Sequence, residues 1–365
     1  VIDDEPGMLR AVERILSPEH QVSCTGSSPQ GLEMCAGVKP DLVICDISMP
    51  QLDGFDLLQR LKAAQPDLDV ILMTALSDPD AHMVRAIREK AFYFIEKPFN
   101  RDVMRTLVER CLELRRLRDA ERQHRARVDR ELTEARVLQE TMLPELRASV
   151  EGIEIDARCV ACSELGGDMF DYASAGPASA AVMIADVAGH GVSAAMLTAV
   201  VKSAFGSSSA EQFEPRAVVR RVARDIAHFS ARRFVTLTVA RLDRNAMKLD
   251  YVNAGHPPGL LWGAAAQLTT LDPTGPLISP AFGDDEWEQE TIELAHGSNL
   301  LLYTDGITEA AGESGQFSRE RLIDMVRRSS LLGSQFLDEI LRTVRAHCGG
   351  RPQVDDLTLL AATVP

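Results

Sequence analysis

The sequence predicts an α/β chain in two unlike halves joined by a long helix: a doubly wound parallel sheet first, then an antiparallel sandwich flanked by helices. Three observations carry this. The apolar runs Leu42–Cys45, Val70–Met73 and Phe92–Ile95 do not alternate and are separated by helical stretches, as in a parallel sheet covered on both faces. Residues 101–143 are rich in charge and contain no glycine, which suits one long helix. Beyond residue 150, strand meanders are interrupted by paired helical stretches, which suggests an antiparallel sandwich.

The bulk properties bound the problem. The 365 residues suffice for two or three domains with real cores, and 45% hydrophobic with 25% charged is ordinary for a soluble chain. No apolar run reaches the roughly 18 residues a membrane span needs. A net charge of −15 argues against a general nucleic-acid surface, so no direct DNA binding is expected. Seven dispersed cysteines, an odd number, fit reduced thiols and a cytoplasmic setting. Cys159 and Cys162 have the spacing of a redox or zinc half-site, but no second pair accompanies them, so a structural role is expected. Val1-Ile2 reads as a strand already under way, so the numbering is expected to omit the true N-terminus.

In the first half, Val1–Asp4 ends a strand, Met8 to Leu16 and Phe55 to Ala63 have helical spacing, and the three apolar runs supply further strands. Chemistry in such sheets sits at the carboxyl ends of the strands. Asp3, Asp4, Asp46, Thr74 and Lys97 all fall there. Three carboxylates make a pocket for one Mg²⁺. Asp46 can then act as a nucleophile toward an activated phosphoryl group, with Thr74 and Lys97 receiving the new phosphate oxygens.

Asp3-Asp4, Asp46 followed by Met49-Pro50 and Asp53-Gly54, Thr74-Ala75 and Lys97-Pro98 together resemble the receiver domain of bacterial response regulators. The resemblance covers about residues 1–103 and implies a flavodoxin-like fold. It also implies Asp46 as the phosphorylated residue, Mg²⁺ held by Asp3, Asp4, Asp46 and Ser48, and Thr74, Phe94 and Lys97 as the switch. The family commonly has tyrosine where Phe94 stands, so a phenol hydroxyl is missing from that switch.

Between residues 104 and 143, Leu107, Cys111, Leu114 and Leu117 fall three and four apart, and Val128, Leu132, Ala135, Leu138 and Met142 repeat the pattern after a polar gap from Arg118 to Arg127. That narrow stripe predicts a coiled-coil seam and a homodimer, with a weak middle.

The second half, residues 144–365, opens on the alternating Ile153–Arg158. Strands are expected at 181–187, 235–242, 247–253, 259–262, 289–294, 299–304 and 357–363, and helices at 191–205, 215–230, 318–329 and 334–347. Ser207–Ser209 reads as a short polar loop, and Thr274–Asp285, rich in Pro and Gly, as a mobile surface loop.

Four separated acids bound apolar strands here: Asp168 after Gly166-Gly167, Asp186 before Val187-Ala188-Gly189, Asp305 after Tyr303-Thr304, and Asp355 ahead of Leu357. Such carboxylates are costly to bury unless cations gather them. Asp186 can bridge two ions beside the Val187 carbonyl, Asp305 and Asp355 can complete one, and Asp168 can reach the other. Oxygen-only ligation favours Mg²⁺ or Mn²⁺, which ready a water for attack on a phosphoester.

Gly166-Gly167-Asp168, Asp186 to Gly191, Asn253 to Pro258, Tyr303 to Gly306 and Asp355 to Thr358 resemble the SpoIIE/RsbU branch of the PP2C-type (PPM) phosphatases, and Gln139 to Pro144 resembles the helix leading into that domain. The resemblance implies an α-β-β-α sandwich, a Mn²⁺/Mg²⁺ centre and phosphoserine or phosphothreonine substrates, usually an anti-sigma-factor antagonist. Asp168, Asp186, Asp305 and Asp355 carry over as ligands, with Asp356, His190 and His256 as weaker site residues. Some PP2C enzymes place a histidine where Ala188 stands here. Gly166–Phe170 is also one residue from the GGDEF signature of diguanylate cyclases, but Met169 lacks the required carboxylate.

The joint expectation is a two-component output enzyme. A sensor histidine kinase or phosphotransfer protein would phosphorylate Asp46, and the helix would relay the change to the phosphatase. The alternative is a non-catalytic adaptor that binds a sigma factor or its regulator through a phosphatase-like domain; loss of the metal acids would mark it, and all four are present.

Overall fold

The computed structural model describes all residues except 76–87, 90, 190, 230–232, 264–267, 283–285 and 314. The chain divides into two compact units, Val1–Val128 and Asp129–Pro365.

In the first unit, α1 (Pro6–Leu16) and α2 (Ser28–Val38) precede β1 (Leu42–Asp46), and α3 (Gly54–Ala64), β2 (Asp69–Ala75) and β3 (Tyr93–Lys97) follow. The sheet order is β1-β2-β3, and both pairings are parallel. Ile2 extends it through parallel bridges to Cys45 and Thr25. The strands are apolar on both sides because both faces are covered: Val43, Cys45, Val70 and Leu72 pack with α3, and Ile44, Ile71 and Met73 with α1 and the start of the long helix.

That helix, α4 (Arg101–Met142), is 42 residues long. Its first turns differ from the expected seam. Met104, Val108 and Cys111 are buried in the core of the first unit, so the expected boundary at 103/104 falls inside a packed helix. Leu114 and Leu117 stay exposed, at 48% and 60%. The polar gap has partners of its own: Arg118 pairs with Asp69 and Arg122 holds both oxygens of Asp67 at 2.8 Å, at the start of β2.

The second unit contains β4 (Arg147–Val150), β5 (Ile153–Val160), β6 (Asp168–Ser174), β7 (Ser179–Val187), α5 (Val192–Gly206), α6 (Pro215–Ile226), β8 (Val235–Asp243), β9 (Lys248–Ala254), β10 (Gly259–Trp262) and β11 (Leu268–Leu271). After them come β12 (Glu290–Glu293), β13 (Ser298–Tyr303), α7 (Asp305–Glu309), the two-residue strands β14 (Ala311–Gly312) and β15 (Gly315–Gln316), α8 (Arg319–Arg328), α9 (Gly333–Cys348) and β16 (Leu357–Val364). Among the described residues the two larger sheets are ordered β11-β10-β13-β16-β5-β4 and β12-β9-β8-β7-β6, and β14 pairs with β15. Their pairings are antiparallel throughout.

Strand periodicity explains the layers. In β7, Ala180, Val182 and Ile184 enter the core between the sheets, while Ala181, Met183 and Ala185 meet α5 and α6. In β13, Leu300 and Leu302 point inward, while Leu301 and Tyr303 meet α8 and α9. A strand buried on both faces reads as continuously apolar, yet its two sets of side chains serve different cores. The result is an α-β-β-α sandwich.

Three details depart from the sequence reading. Ser207–Glu211 is a 3₁₀ helix rather than a loop, with Ser208 fully buried and donating to the Ala204 carbonyl at 2.9 Å. The segment expected to be a mobile loop is tied down: Ile278 exchanges backbone hydrogen bonds with Val235, and Trp287 donates to the Pro276 carbonyl at 2.7 Å. The strands β4, β6, β11, β14 and β15 and the short helix α7 were not among the elements expected.

Candidate active sites in the two units

In the first unit, β1 delivers Asp46 beside Asp3, whose backbone amide is bonded to Thr25 next to the Ile2 bridges. Asp3, Asp4 and Asp46 offer ligand oxygens that all lie within 4.8 Å of one another; Asp3 and Asp46 are buried and Asp4 is exposed. Lys97 at the end of β3 reaches Asp3 Oδ2 at 2.6 Å and Asp46 Oδ1 at 3.0 Å. Burial pushes the Asp46 carboxyl up, against the pull of Lys97. Burial alone would lower Lys97, but its bonds to Asp3 and Asp46 outweigh that, and its pKa lies above the ordinary value. Thr74 is buried in β2, one residue past Met73, the register partner of Asp46. Phe94 is half-buried against the β1–α3 core, and Ser48 is exposed. An oxygen-only cluster with a buried carboxylate and one lysine suits a hard cation and an incoming phosphoryl group.

In the second unit, Asp168 and Asp186 are direct cross-strand partners on β6 and β7. Like charges so placed repel. Asp305 opens α7, directly after β13, and Asp355 precedes β16. Gly306 makes their approach possible: a Cβ there would lie 2.0 Å from the Asp356 carbonyl oxygen and 3.4 Å from Asp355 Cβ. Gly167 does the same for the other pair, since its Cβ would lie 2.5 Å from the Val187 carbonyl oxygen.

The acids sense one another. Burial, then the charges of Asp305, Asp355 and Asp356, push Asp186 up to about 7. Burial and then Asp186 hold Asp168 well above the carboxylate range. Asp305 is raised by burial and Glu309, and Asp355 by burial and then Asp305 and Asp356. Carboxylates that raise one another in this way can relieve their repulsion on shared cations, and every donor is oxygen, so the set fits a Mg²⁺ or Mn²⁺ pair.

Asp356 is engaged otherwise. Its Oδ1 accepts from the Cys162 amide at 2.7 Å, and its Oδ2 from the Gly167 and Asp168 amides at 2.7 and 3.3 Å. His256 is buried, bonded through Nδ1 to Thr236 Oγ1 at 2.8 Å, and its amide donates to Asn253 Oδ1. Burial pushes it down to about 3, so the imidazole is neutral at physiological pH. His190 lies outside the described residues. Cys159 and Cys162 are free thiols that burial pushes up to about 12 and about 11, in line with the structural role expected of them.

Sequence reasoning missed two contacts. Thr304 Oγ1 donates to Asp168 Oδ2 at 2.7 Å. Gln139, near the end of α4, donates to the Gly166 carbonyl at 2.8 Å and accepts from the Gly166 amide at 3.2 Å.

Comparison with known proteins matches this geometry. The model for the response regulator receiver domain matches residues 1–109, and that for Stage II sporulation protein E (SpoIIE) matches residues 176–365, just over half the chain. The chain belongs to the SpoIIE family. It carries a receiver domain fused to a SpoIIE/RsbU-type PP2C phosphatase domain. It is 31% identical over 192 residues to phosphoserine phosphatase RsbP of Bacillus subtilis, covering 51% of this chain and 47% of that one. It is 40% identical over 114 residues to the DNA-binding transcriptional regulator NtrC of Escherichia coli, covering 31% of this chain and 24% of that one. The chain thus spans less than half the length of these relatives. Among solved structures, the SiaA-PP2C domain of Pseudomonas aeruginosa superposes with a TM-score of 0.59 at 21% identity, covering 66% of this chain and 99% of that one; this likeness speaks for the fold. PP2C phosphatases of this family generally use divalent Mn or Mg. Among the described residues, no helix is long and apolar enough to cross a membrane.

Proposed function

We propose that this protein is a phosphorylation-controlled, metal-dependent phosphoserine/phosphothreonine protein phosphatase. The observation that carries the reading is the placement of four acids from separate segments: Asp168 faces Asp186 across β6 and β7, Gly306 lets the start of α7 at Asp305 close on Asp355, and the charges of Asp305 and Asp355 reach Asp186. Asp186, with the Val187 carbonyl, would lie between two Mn²⁺ or Mg²⁺ ions, Asp305 and Asp355 would complete one, and Asp168 would serve the other. When bound, the pair supplies neutralisation of phosphate oxygens and a water of lowered pKa. Asp356 holds the amides of the loop that presents Asp168, while Asn253 Oδ1 closes the 253–256 turn on the His256 amide and the neutral imidazole ties that turn to Thr236.

In the receiver, Asp46 would accept the phosphoryl group from a histidine kinase or phosphotransfer protein, with Mg²⁺ at Asp3, Asp4, Asp46 and the Ser48 backbone. Lys97 and Thr74 would then shift their bonds to the new oxygens. The long helix, paired with that of a second copy, would carry the change to Gln139 and its hold on Gly166. The protein substrate would be a phosphorylated anti-sigma-factor antagonist; the relative named phosphoserine phosphatase RsbP supports phosphoserine as the group removed.

Wild type and Asp186→Ala, assayed with Mn²⁺ on such a phosphoprotein with and without beryllofluoride, test the reading. Activity is expected in wild type only, and it is expected to change with beryllofluoride. Equal activity in both proteins overturns the enzyme assignment.

A further inference from the structure

The backbone that follows Asp186 turns through Gly189 and Gly191, with φ of +100° and +80°, before α5 begins. Glycines add little intrinsic stiffness, and these follow Val187 and Ala188, where β7 ends. One side chain ties the turn. Arg233, two residues ahead of β8, donates through Nη1 to the Ala188 carbonyl at 3.1 Å and through Nη2 to Ser193 Oγ; the two acceptors stand on either side of the glycines. The guanidinium also closes on Gly189, where a Cβ would lie 2.8 Å from Nη1. The neighbouring Phe234 carbonyl accepts from the Ala188 amide at 3.0 Å, so Ala188 is held by both its backbone groups.

Several arginines end on a carboxylate: Arg118 on Asp69, Arg122 on Asp67, Arg158 on Asp338, Arg241 on Asp250. Among the described residues, both hydrogen-bond partners of Arg233 are uncharged. A full charge spent on a carbonyl and a hydroxyl stabilises little by ion pairing. What it gains is geometry, because a planar fork can hold two acceptors in a fixed relation.

We propose that Arg233 is a positioning residue of the phosphatase centre: it latches Ala188 to the first turn of α5 and so fixes the Val187 carbonyl beside Asp186. The inference rests on the phosphatase reading. Lysine cannot replace it, since one ammonium does not reproduce the two-pronged fork. Outer contacts of this kind typically change metal affinity or activity by about 10–100-fold.

The test is Mn²⁺ titration by calorimetry of the full chain as wild type, Arg233→Ala, Arg233→Lys and Ser193→Ala, with kcat and KM on a phosphorylated protein substrate. Far-ultraviolet circular dichroism checks folding. Arg233→Ala and Arg233→Lys are expected to bind Mn²⁺ at least about tenfold more weakly and to lose kcat with KM unchanged. Ser193→Ala, which keeps the arginine, is expected to show a smaller change in the same direction. If Arg233→Ala unfolds, Ser193→Ala and Arg233→Lys decide. Unchanged Mn²⁺ affinity in the folded variants overturns the inference, as does a raised KM at unchanged affinity, which would mean that Arg233 touches substrate. Failure of wild type to bind Mn²⁺ beyond the one ion that substitution of Asp3 and Asp46 removes overturns the phosphatase reading instead.

Discussion

Thr304 caps the short helix that Asp305 begins, yet its hydroxyl does not serve that helix. It donates across the sandwich to Asp168 Oδ2 at 2.7 Å and accepts from the Thr358 amide at 3.0 Å. One fully buried oxygen therefore joins β6 of one sheet to β13 and β16 of the other, at the point where the acids gather. Thr304→Val keeps the volume and deletes both bonds. Leaving a buried donor and a carboxylate unsatisfied is expected to cost about 1–3 kcal/mol, read as a lower urea midpoint, with weaker Mn²⁺ binding.

The raised carboxyls set a pH dependence. Asp186 titrates near 7 in the folded chain, against the ordinary 3.8. In metal-free protein its ionisation opposes folding. The folded state is therefore favoured below the ordinary value and loses that advantage as pH rises through about 7. A cation must displace the proton, so Mn²⁺ affinity is expected to fall by up to about tenfold per pH unit below that point. Calorimetric titrations from acid to mildly alkaline pH check this, and a flat profile would refute it.

Gly306 is where the third and fourth acids meet. In Gly306→Ala the new methyl overlaps the Asp356 carbonyl. Displacement of one strand end is expected to cost about 1–3 kcal/mol or more, and to lower Mn²⁺ affinity together with the melting temperature. A variant with wild-type melting and binding would contradict the close approach.

Lys97 lies between Asp3 and Asp46, with its own side chain 11% exposed. Lys97→Ala leaves two buried acids without their cation, which is expected to destabilise the first unit by about 3–5 kcal/mol in the absence of Mg²⁺. Added Mg²⁺ should recover part of the loss. Urea unfolding with and without the ion measures both effects.

How much of this was legible in the sequence depends on which atoms do the work. Strands such as β7 and β13 were readable because burial on both faces leaves an unbroken apolar run. Asp168 and Asp305 stood out as candidates because each adjoins a glycine at a strand boundary, and Asp186 and Asp355 because each bounds an apolar run. The strand β6 was missed: its Asp171 breaks the apolar pattern, and only the structure supplies Lys202, 2.7 Å away, as its partner. The stripe on α4 misled in part, because helical spacing does not say what covers a face. Met104, Val108 and Cys111 are covered by the first unit itself. Gln139, Asp356 and Arg233 act on backbone amides and carbonyls, which leave no mark in the sequence.

Cys159 near the end of β5 and Cys162 in the loop that leads to Asp168 both keep their protons far above neutrality. Sulfur captures a thiophilic ion only as thiolate. A thiophilic ion arriving here would have to displace a proton from each sulfur before gaining a soft donor, so its capture is expected to weaken as pH falls.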